Sequence, residues 1–176
     1  MSQLPADFIT QITQLLGADE ASALCTALTG SEAPVSIRRN PLKPVETLPE
    51  AEVGAVPWCD AGCYLAARPR FTYDPLLHAG CYYVQEAASM FVEQAYRRIV
   101  ADFQPHRLLD LCAAPGGKST LWRSLLPAEH LLVANEPIRQ RAQILAENLA
   151  KWGHPDTVVT SAYPAEFAGL GSFFDV

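Results

Sequence analysis

The amino-acid sequence predicts an α/β fold: a parallel, doubly wound sheet, incomplete toward the C-terminus, behind a small N-terminal α+β region. Three observations carry this. From Arg107 onward, short apolar runs alternate with stretches of helical periodicity, which is the grammar of strands joined by right-handed helical crossovers. The first of these runs, Leu108 to Leu111, passes into a turn of small residues, Cys112-Ala113-Ala114-Pro115-Gly116-Gly117, and then into a helix. Before Arg107 there is no such alternation, only short helices and strands separated by Pro-rich loops.

Pro5 to Leu16 reads as a helix with Phe8, Ile9, Ile12, Leu15 and Leu16 on one face and Gly17 as its stop. Asp19 to Leu28 reads as a second, with Cys25 directed inward. Val35 and Ile37 alternate with polar residues as in a half-buried strand. Arg38, Arg39 and Lys43 cluster where that strand meets a Pro-broken loop, and two readings stand: a solvated loop, or a phosphate contact through the arginine forks. Residues 41 to 60 read as irregular, Gly62 to Ala67 as a strand, Pro69 to Leu77 as a linker, and Tyr82 to Gln85 as a short strand. Glu86 to Val100 reads as one helix with Met90 and Phe91 in its core face.

The alternating half follows: strand Arg107 to Leu111, helix Lys118 to Leu125, strand His130 to Ala134, helix Pro137 to Trp152 stopped by Gly153, and strand Thr157 to Thr160. Ala165 to Ala168 reads as a helical turn and Phe173 to Val176 as the opening of a fourth strand. The expected organisation is residues 1–70 as the α+β region and 71–176 as the first half of the doubly wound domain.

The totals narrow the class. In 176 residues, 49% hydrophobic, there is enough apolar surface for a packed core. A net charge of −6 argues against a generally basic coat but leaves room for a local basic face. No apolar run is long enough to span a bilayer. Five cysteines, with no signal-peptide pattern, read as reduced thiols in a cytoplasmic protein. Cys59, Cys63, His78 and Cys81 lack common zinc spacings, so no metal is expected.

The loop after the first alternating strand carries the chemistry. Gly117-Lys118-Ser119 matches the end of a phosphate-binding G-x-x-x-x-G-K-[ST] loop, but its leading glycine would fall at Cys112. A dinucleotide G-x-G-x-x-G places Cys112, Ala114 and Gly117 in its glycine positions, and only the third is glycine. A loop of the kind that holds adenosyl-methionine tolerates small residues, with an acid ending the strand before it. Asp110, Cys112, Ala114 and Gly116 fit it. Glu136 follows the second strand, about 20 residues on, where a carboxylate accepts hydrogen bonds from ribose hydroxyls; its alternative role is a helix-start charge. Lys118 has two readings, a solvated residue at the helix start or, at the loop, a partner for a ligand carboxylate.

Asp110 to Ser119 resembles the cofactor-loop motif of the Sun/Nop family of RNA cytosine-C5 methyltransferases, with the bacterial ribosomal-RNA branch the nearest in character. Gly80 to Met90 is similar to the family segment preceding that loop. Asn135-Glu136-Pro137 with Arg141 is similar to its ribose-binding element. Ile37-Arg38-Arg39-Asn40-Pro41-Leu42-Lys43 is similar to its N-terminal element. The resemblance implies a Rossmann-like S-adenosyl-methionine-dependent methyltransferase fold. It further implies S-adenosyl-L-methionine held by Asp110, Cys112, Ala113, Ala114, Pro115, Gly116, Gly117, Lys118, Glu136 and Arg141, and RNA, ribosomal rather than transfer, met by Arg38, Arg39 and Lys43. In such enzymes a cysteine thiolate adds to C6 of a flipped-out cytosine, and C5 then takes the methyl group. The family's nucleophile lies after the fourth strand, so none of Cys25, Cys59, Cys63, Cys81 and Cys112 occupies its position. The chain alone is therefore expected to be inactive, a cofactor-binding part of the enzyme. The alternative is a non-catalytic module that binds S-adenosyl-methionine or RNA. Ser161, Ala162 and Tyr163 stand where the family often has an adenine-contacting Asn or Asp.

Overall fold

A computed structural model of the chain describes residues 4–30 and 33–176. The described residues fall into two compact units that part between Pro34 and Val35. The first is a pair of helices, α1 (Ala6–Leu16) and α2 (Ala18–Gly30), turned at Gly17 with φ +83°. Among its described residues only Ala21 is buried, and Cys25, expected inside, is half-buried.

The second unit holds two sheets. An antiparallel sheet is made of β1 (Val35–Arg39), β2 (Glu52–Ala55), β3 (Gly62–Leu65) and β4 (Tyr82–Val84), in the order β2-β3-β1-β4. Its β1 pairs with β3 on one side and with β4 on the other, Ile37 facing both Cys63 and Val84. Ile37, Cys63, Leu65, Phe71 and Tyr82 form its apolar core. Between β3 and β4 lies a short helix, α3 (Pro75–His78), whose start is capped by the Asp74 carboxylate accepting from the Leu76 N–H.

The parallel sheet has the order β5-β6-β7, with β5 at Arg107–Asp110, β6 at Leu131–Asn135 and β7 at Thr157–Thr160. Crossovers α5 (Gly117–Leu125) and α6 (Arg139–Trp152) connect them, and α4 (Val92–Val100) precedes β5. The doubly wound α/β class is as expected. Residues 173–176 make no regular strand, yet they lie along the outer edge of β5. The Asp175 N–H donates to the Arg107 carbonyl at 2.9 Å, and the Leu109 N–H to the Val176 carbonyl at 2.8 Å. The Asp175 carboxylate also accepts from the backbone N–H groups of His106 and Arg107, which holds its pKa below the usual carboxylate range.

Four readings change. Residues 41–60 are not wholly irregular, because Glu52–Ala55 adds a mostly exposed edge strand to β3. Glu86 to Val100 is not one helix: a 3-10 turn at Ala88–Phe91 precedes α4. That break turns Phe91 outward, 60% exposed and edge-on to Trp58, while Met90 is fully buried. The stretch 69–77 is not a plain linker but carries a 3-10 turn at Phe71–Tyr73 and the start of α3. Finally, β4 lies beyond residue 70 yet pairs with β1, so the antiparallel sheet crosses the expected 70/71 boundary.

Gly80, just before β4, lies against the end of α6. Its φ is +74°, and a Cβ there would stand 1.9 Å from the Lys151 carbonyl oxygen at the end of α6. Gly80→Ala is therefore expected to destabilise the fold by about 3 kcal/mol, combining left-handed strain with a backbone clash. Differential scanning calorimetry should show a fall of roughly 6–12 °C. Gly169→Ala, with open space around it, should leave the transition in place.

Candidate methyl-donor site

The carboxyl edge of the parallel sheet gathers the predicted residues. β5 ends at Asp110, whose carboxylate accepts the Ser119 hydroxyl at 2.7 Å from the first turn of α5. Burial pushes the Asp110 carboxyl above its ordinary pKa, against the opposing pull of Ser119 and Lys118. The loop then turns through a cis Ala114–Pro115 peptide and Gly116, at φ +109°. Gly116 stands at the N-cap of α5 with no side chain capping the helix, so the helix start presents backbone N–H groups toward the loop.

The loop is bound to its neighbours from two sides. The Ala113 N–H donates to the Asn135 carbonyl at 2.8 Å. The Asn135 side chain, fully buried, donates to the Leu111 and Ala162 carbonyls, both at 3.0 Å, and accepts from the Thr160 hydroxyl and the Ala162 N–H. One amide thus ties together the ends of all three parallel strands. On the other side, Tyr83 and Asn148 both donate to the Pro115 carbonyl, at 3.4 and 2.8 Å.

Glu136 lies just past β6 and is 1% exposed. Its carboxylate accepts the Ile138 N–H at 3.1 Å and stands 3.5 Å from the Arg141 guanidinium. Arg141 in turn donates to the Ala114 carbonyl at 3.0 Å. The ribose candidate and the loop are therefore joined through one arginine. Glu136 thus sits between the residue that precedes α6, whose N–H it accepts, and the arginine that reaches the loop.

A cleft of about 280 Å³ opens over the loop. Cys112, Ala113, Ala114, Pro115, Gly117 and Lys118 form one wall. The opposite wall is Tyr83, Val84, Gln85, Glu86 and Ser89, from β4 and the turn after it. Gly116 lies beneath, against Leu145. Asp110, Glu136 and Arg141 are linked to the loop without lining this cleft. The opposite wall was not singled out residue by residue in the sequence. The signal available was the Gly80 to Met90 resemblance, which contains it whole.

The basic cluster is the main correction. Arg38 is not on a solvated loop and does not face an RNA phosphate: it is 1% exposed, inside β1. Its Nε donates to the Gln85 side chain at 2.8 Å, and its Nη2 to the Gly117 carbonyl at 3.1 Å and the Thr120 hydroxyl at 2.5 Å. The guanidinium also lies 4.6 Å from the centre of the Trp152 ring. Burial lowers its pKa to about 10, which leaves it charged at neutral pH. Arg39 pairs with Glu52 at 2.5 Å on a half-exposed surface. Lys43 donates to the Ala79 and Lys151 carbonyls, at 2.9 and 2.6 Å. Asn40, unassigned by the sequence, donates to the Gly80 and Trp152 carbonyls, both at 2.8 Å.

A parallel sheet in this order, a small-residue loop after its first strand and an acid after its second define a Rossmann-like methyltransferase fold. Two family models match the chain: the N-terminal domain of 16S rRNA methyltransferase RsmF over residues 4–87, and 16S rRNA methyltransferase RsmB/F over residues 99–175. The chain belongs to the RsmB/F family, of which it represents an N-terminal part. The ribosomal RNA small subunit methyltransferase F of Vibrio atlanticus is 32% identical over 178 residues, an alignment covering 94% of this chain and 37% of the relative. That of Erwinia tasmaniensis is 33% identical, over 89% of this chain and 34% of the relative. The chain thus spans about a third of the length of the curated relatives it matches. Among solved structures, a methyltransferase homolog protein from Pyrococcus horikoshii has a TM-score of 0.77 at 24% identity, covering 98% of this chain and 57% of that one. NSun6 from Pyrococcus horikoshii with SFG has a TM-score of 0.73 at 14% identity, over 95% of this chain and 67% of its own. These two share the fold.

The raised pKa of Asp110 has a definite sign. A carboxyl whose folded pKa exceeds its unfolded value stabilises the fold at low pH, and that contribution is lost as pH rises through the folded value. Asp110→Asn is therefore expected to raise the melting temperature at pH 7. The gain should shrink toward zero as pH falls below the ordinary carboxylate range, in thermal melts run across pH.

Proposed function

We propose that this chain holds S-adenosyl-L-methionine at the Asp110–Lys118 loop, for methylation at C5 of a cytosine in small-subunit ribosomal RNA. The observation that carries the reading is the link from Glu136 through Arg141 to the Ala114 carbonyl, which joins a buried carboxylate to a loop almost without side chains. The donor set fits the group. Gly117 has no Cβ against the wall formed by Tyr83 and Gln85, so a ligand can approach the loop backbone. Glu136 accepts from ribose hydroxyls, Lys118 meets the amino-acid carboxylate, and Asp110, Cys112, Ala113, Pro115 and Gly116 shape the bed. When bound, the cofactor supplies an electrophilic methyl group. The printed names of the relatives support ribosomal RNA over transfer RNA, and the reduced cysteines support a cytoplasmic setting.

The thiol nucleophile is assigned to none of the chain's cysteines. Cys59 is buried, its pKa pushed up to about 12 by desolvation and by the neighbouring Glu93. Cys63 is buried and raised as well. Such thiols are poor nucleophiles. Cys81 is buried, its backbone carbonyl accepting the Asn40 N–H at 2.8 Å, and Cys112 belongs to the loop itself. RNA contact by Arg39 and Lys43 stays in this reading only through their exposed portions.

Titration calorimetry tests the site. The chain should bind S-adenosyl-homocysteine and not ATP, and Glu136→Gln should weaken binding by about tenfold or more, for one charge-assisted hydrogen bond lost. Binding of ATP alone would replace the reading with a phosphate loop. Incubated with labelled methyl donor and ribosomal RNA, the chain by itself should yield no 5-methylcytosine; clear product would assign the nucleophile to one of its own cysteines.

A further inference from the structure

Arg38 comes from a motif read as facing RNA, yet the structure turns it inward onto the cofactor loop. We propose that Arg38 is a positioning residue for the methyl-donor site, fixing the Gly116–Lys118 backbone from below, so that the N-terminal sheet sets affinity for the amino-acid end of the donor. This rests on the reading of the loop given above.

The geometry is specific. Three of the five guanidinium N–H bonds are spoken for by defined acceptors: the Gln85 amide oxygen, the Gly117 carbonyl and the Thr120 hydroxyl. Gly117 and Thr120 are the first turn of α5, directly behind the loop. Thr120 carries the connection further, since its hydroxyl lies 2.8 Å from the Gly116 carbonyl. Gln85 belongs to both sides, because it accepts from Arg38 and lines the cleft opposite Gly117. The Trp152 ring covers the guanidinium face, and Trp152 donates to Ser124 on the same helix, α5. Arg38 therefore touches the back of the loop and one residue of the facing wall at once, while remaining 1% exposed itself. A lysine has a single ammonium and no planar fork, so it cannot reproduce the geometry to all three acceptors. Arg38 does not contact Glu136 or Arg141, which hold the other end of the site.

That separation gives the test a readout that general loss of stability does not produce. Arg38→Lys and Thr120→Val are compared with the unmodified chain by calorimetry, using S-adenosyl-homocysteine and 5′-methylthioadenosine. The second ligand keeps the adenosine but lacks the amino-acid end. Arg38→Lys is expected to weaken S-adenosyl-homocysteine by about tenfold, the order of one hydrogen bond to a charged group, and methylthioadenosine by less than about twofold. Thr120→Val, which removes one acceptor and preserves shape, should shift the ratio in the same direction by a smaller factor. It decides the matter if Arg38→Lys does not fold. Equal loss for both ligands, or no loss in either variant, overturns the positioning role and leaves the donor site standing. Failure of the unmodified chain to bind S-adenosyl-homocysteine overturns the donor site and the positioning role together.

Discussion

A guanidinium buried between the antiparallel sheet and the helices α5 and α6 is the constraint on which this architecture depends. Desolvating a full positive charge is unfavourable by several kcal/mol, and it is tolerated only when hydrogen bonds and aromatic contact replace water closely. Arg38 achieves that with acceptors from three separate places: the segment after β4, the first turn of α5 and the ring of Trp152. None of these lies on its own strand. The charge is satisfied only if the antiparallel sheet, α5 and the end of α6 are all in place, so one side chain makes their relative placement a single structural decision. Its Nη1 remains buried without a hydrogen-bond partner among the described residues, so the desolvation is not fully offset.

The rest of the same motif works on α6. The last carbonyls of a helix have no partner within it and carry the negative end of its dipole. Lys43 and Asn40 supply donors to the Lys151 and Trp152 carbonyls, and the same two side chains hold Ala79 and Gly80. Gly153 completes the end in a left-handed conformation, φ +90°. Gly80 must be glycine for the same reason, since the Lys151 carbonyl occupies the space where its side chain would be. A segment that reads as a basic surface is thus a cap and a buckle.

What the sequence made legible is what is local. β5, α5, β6, α6 and β7 lie within a residue or two of their expected bounds, because periodicity, Gly153 and the small-residue loop are encoded where they act. The loop wall of the cleft was legible for the same reason. The facing wall was not, because Tyr83 and Gln85 reach it only through the pairing of β4 with β1. β2 was missed as an exposed edge strand with little apolar pattern. Phe91 was misplaced because one 3-10 turn rotates the helical phase. Arg38 was misread because charge in a strand ordinarily signals a wet face, and its acceptors are 47 to 82 residues away.

The distance between Asn40 and the carbonyl it caps has a consequence for how the chain acquires its structure. They are 112 residues apart, and Lys43 is 108 from its own partner on α6. Contacts of such separation close large loops and form late relative to helices and neighbouring strands. During vectorial synthesis, the antiparallel sheet is complete in sequence before α6 exists. The buried Arg38 charge then waits, hydrated, for α5 and Trp152. The carbonyls that end α6 are accordingly capped only when both the antiparallel sheet and the helix are in place, although 108 and 112 residues separate the partners.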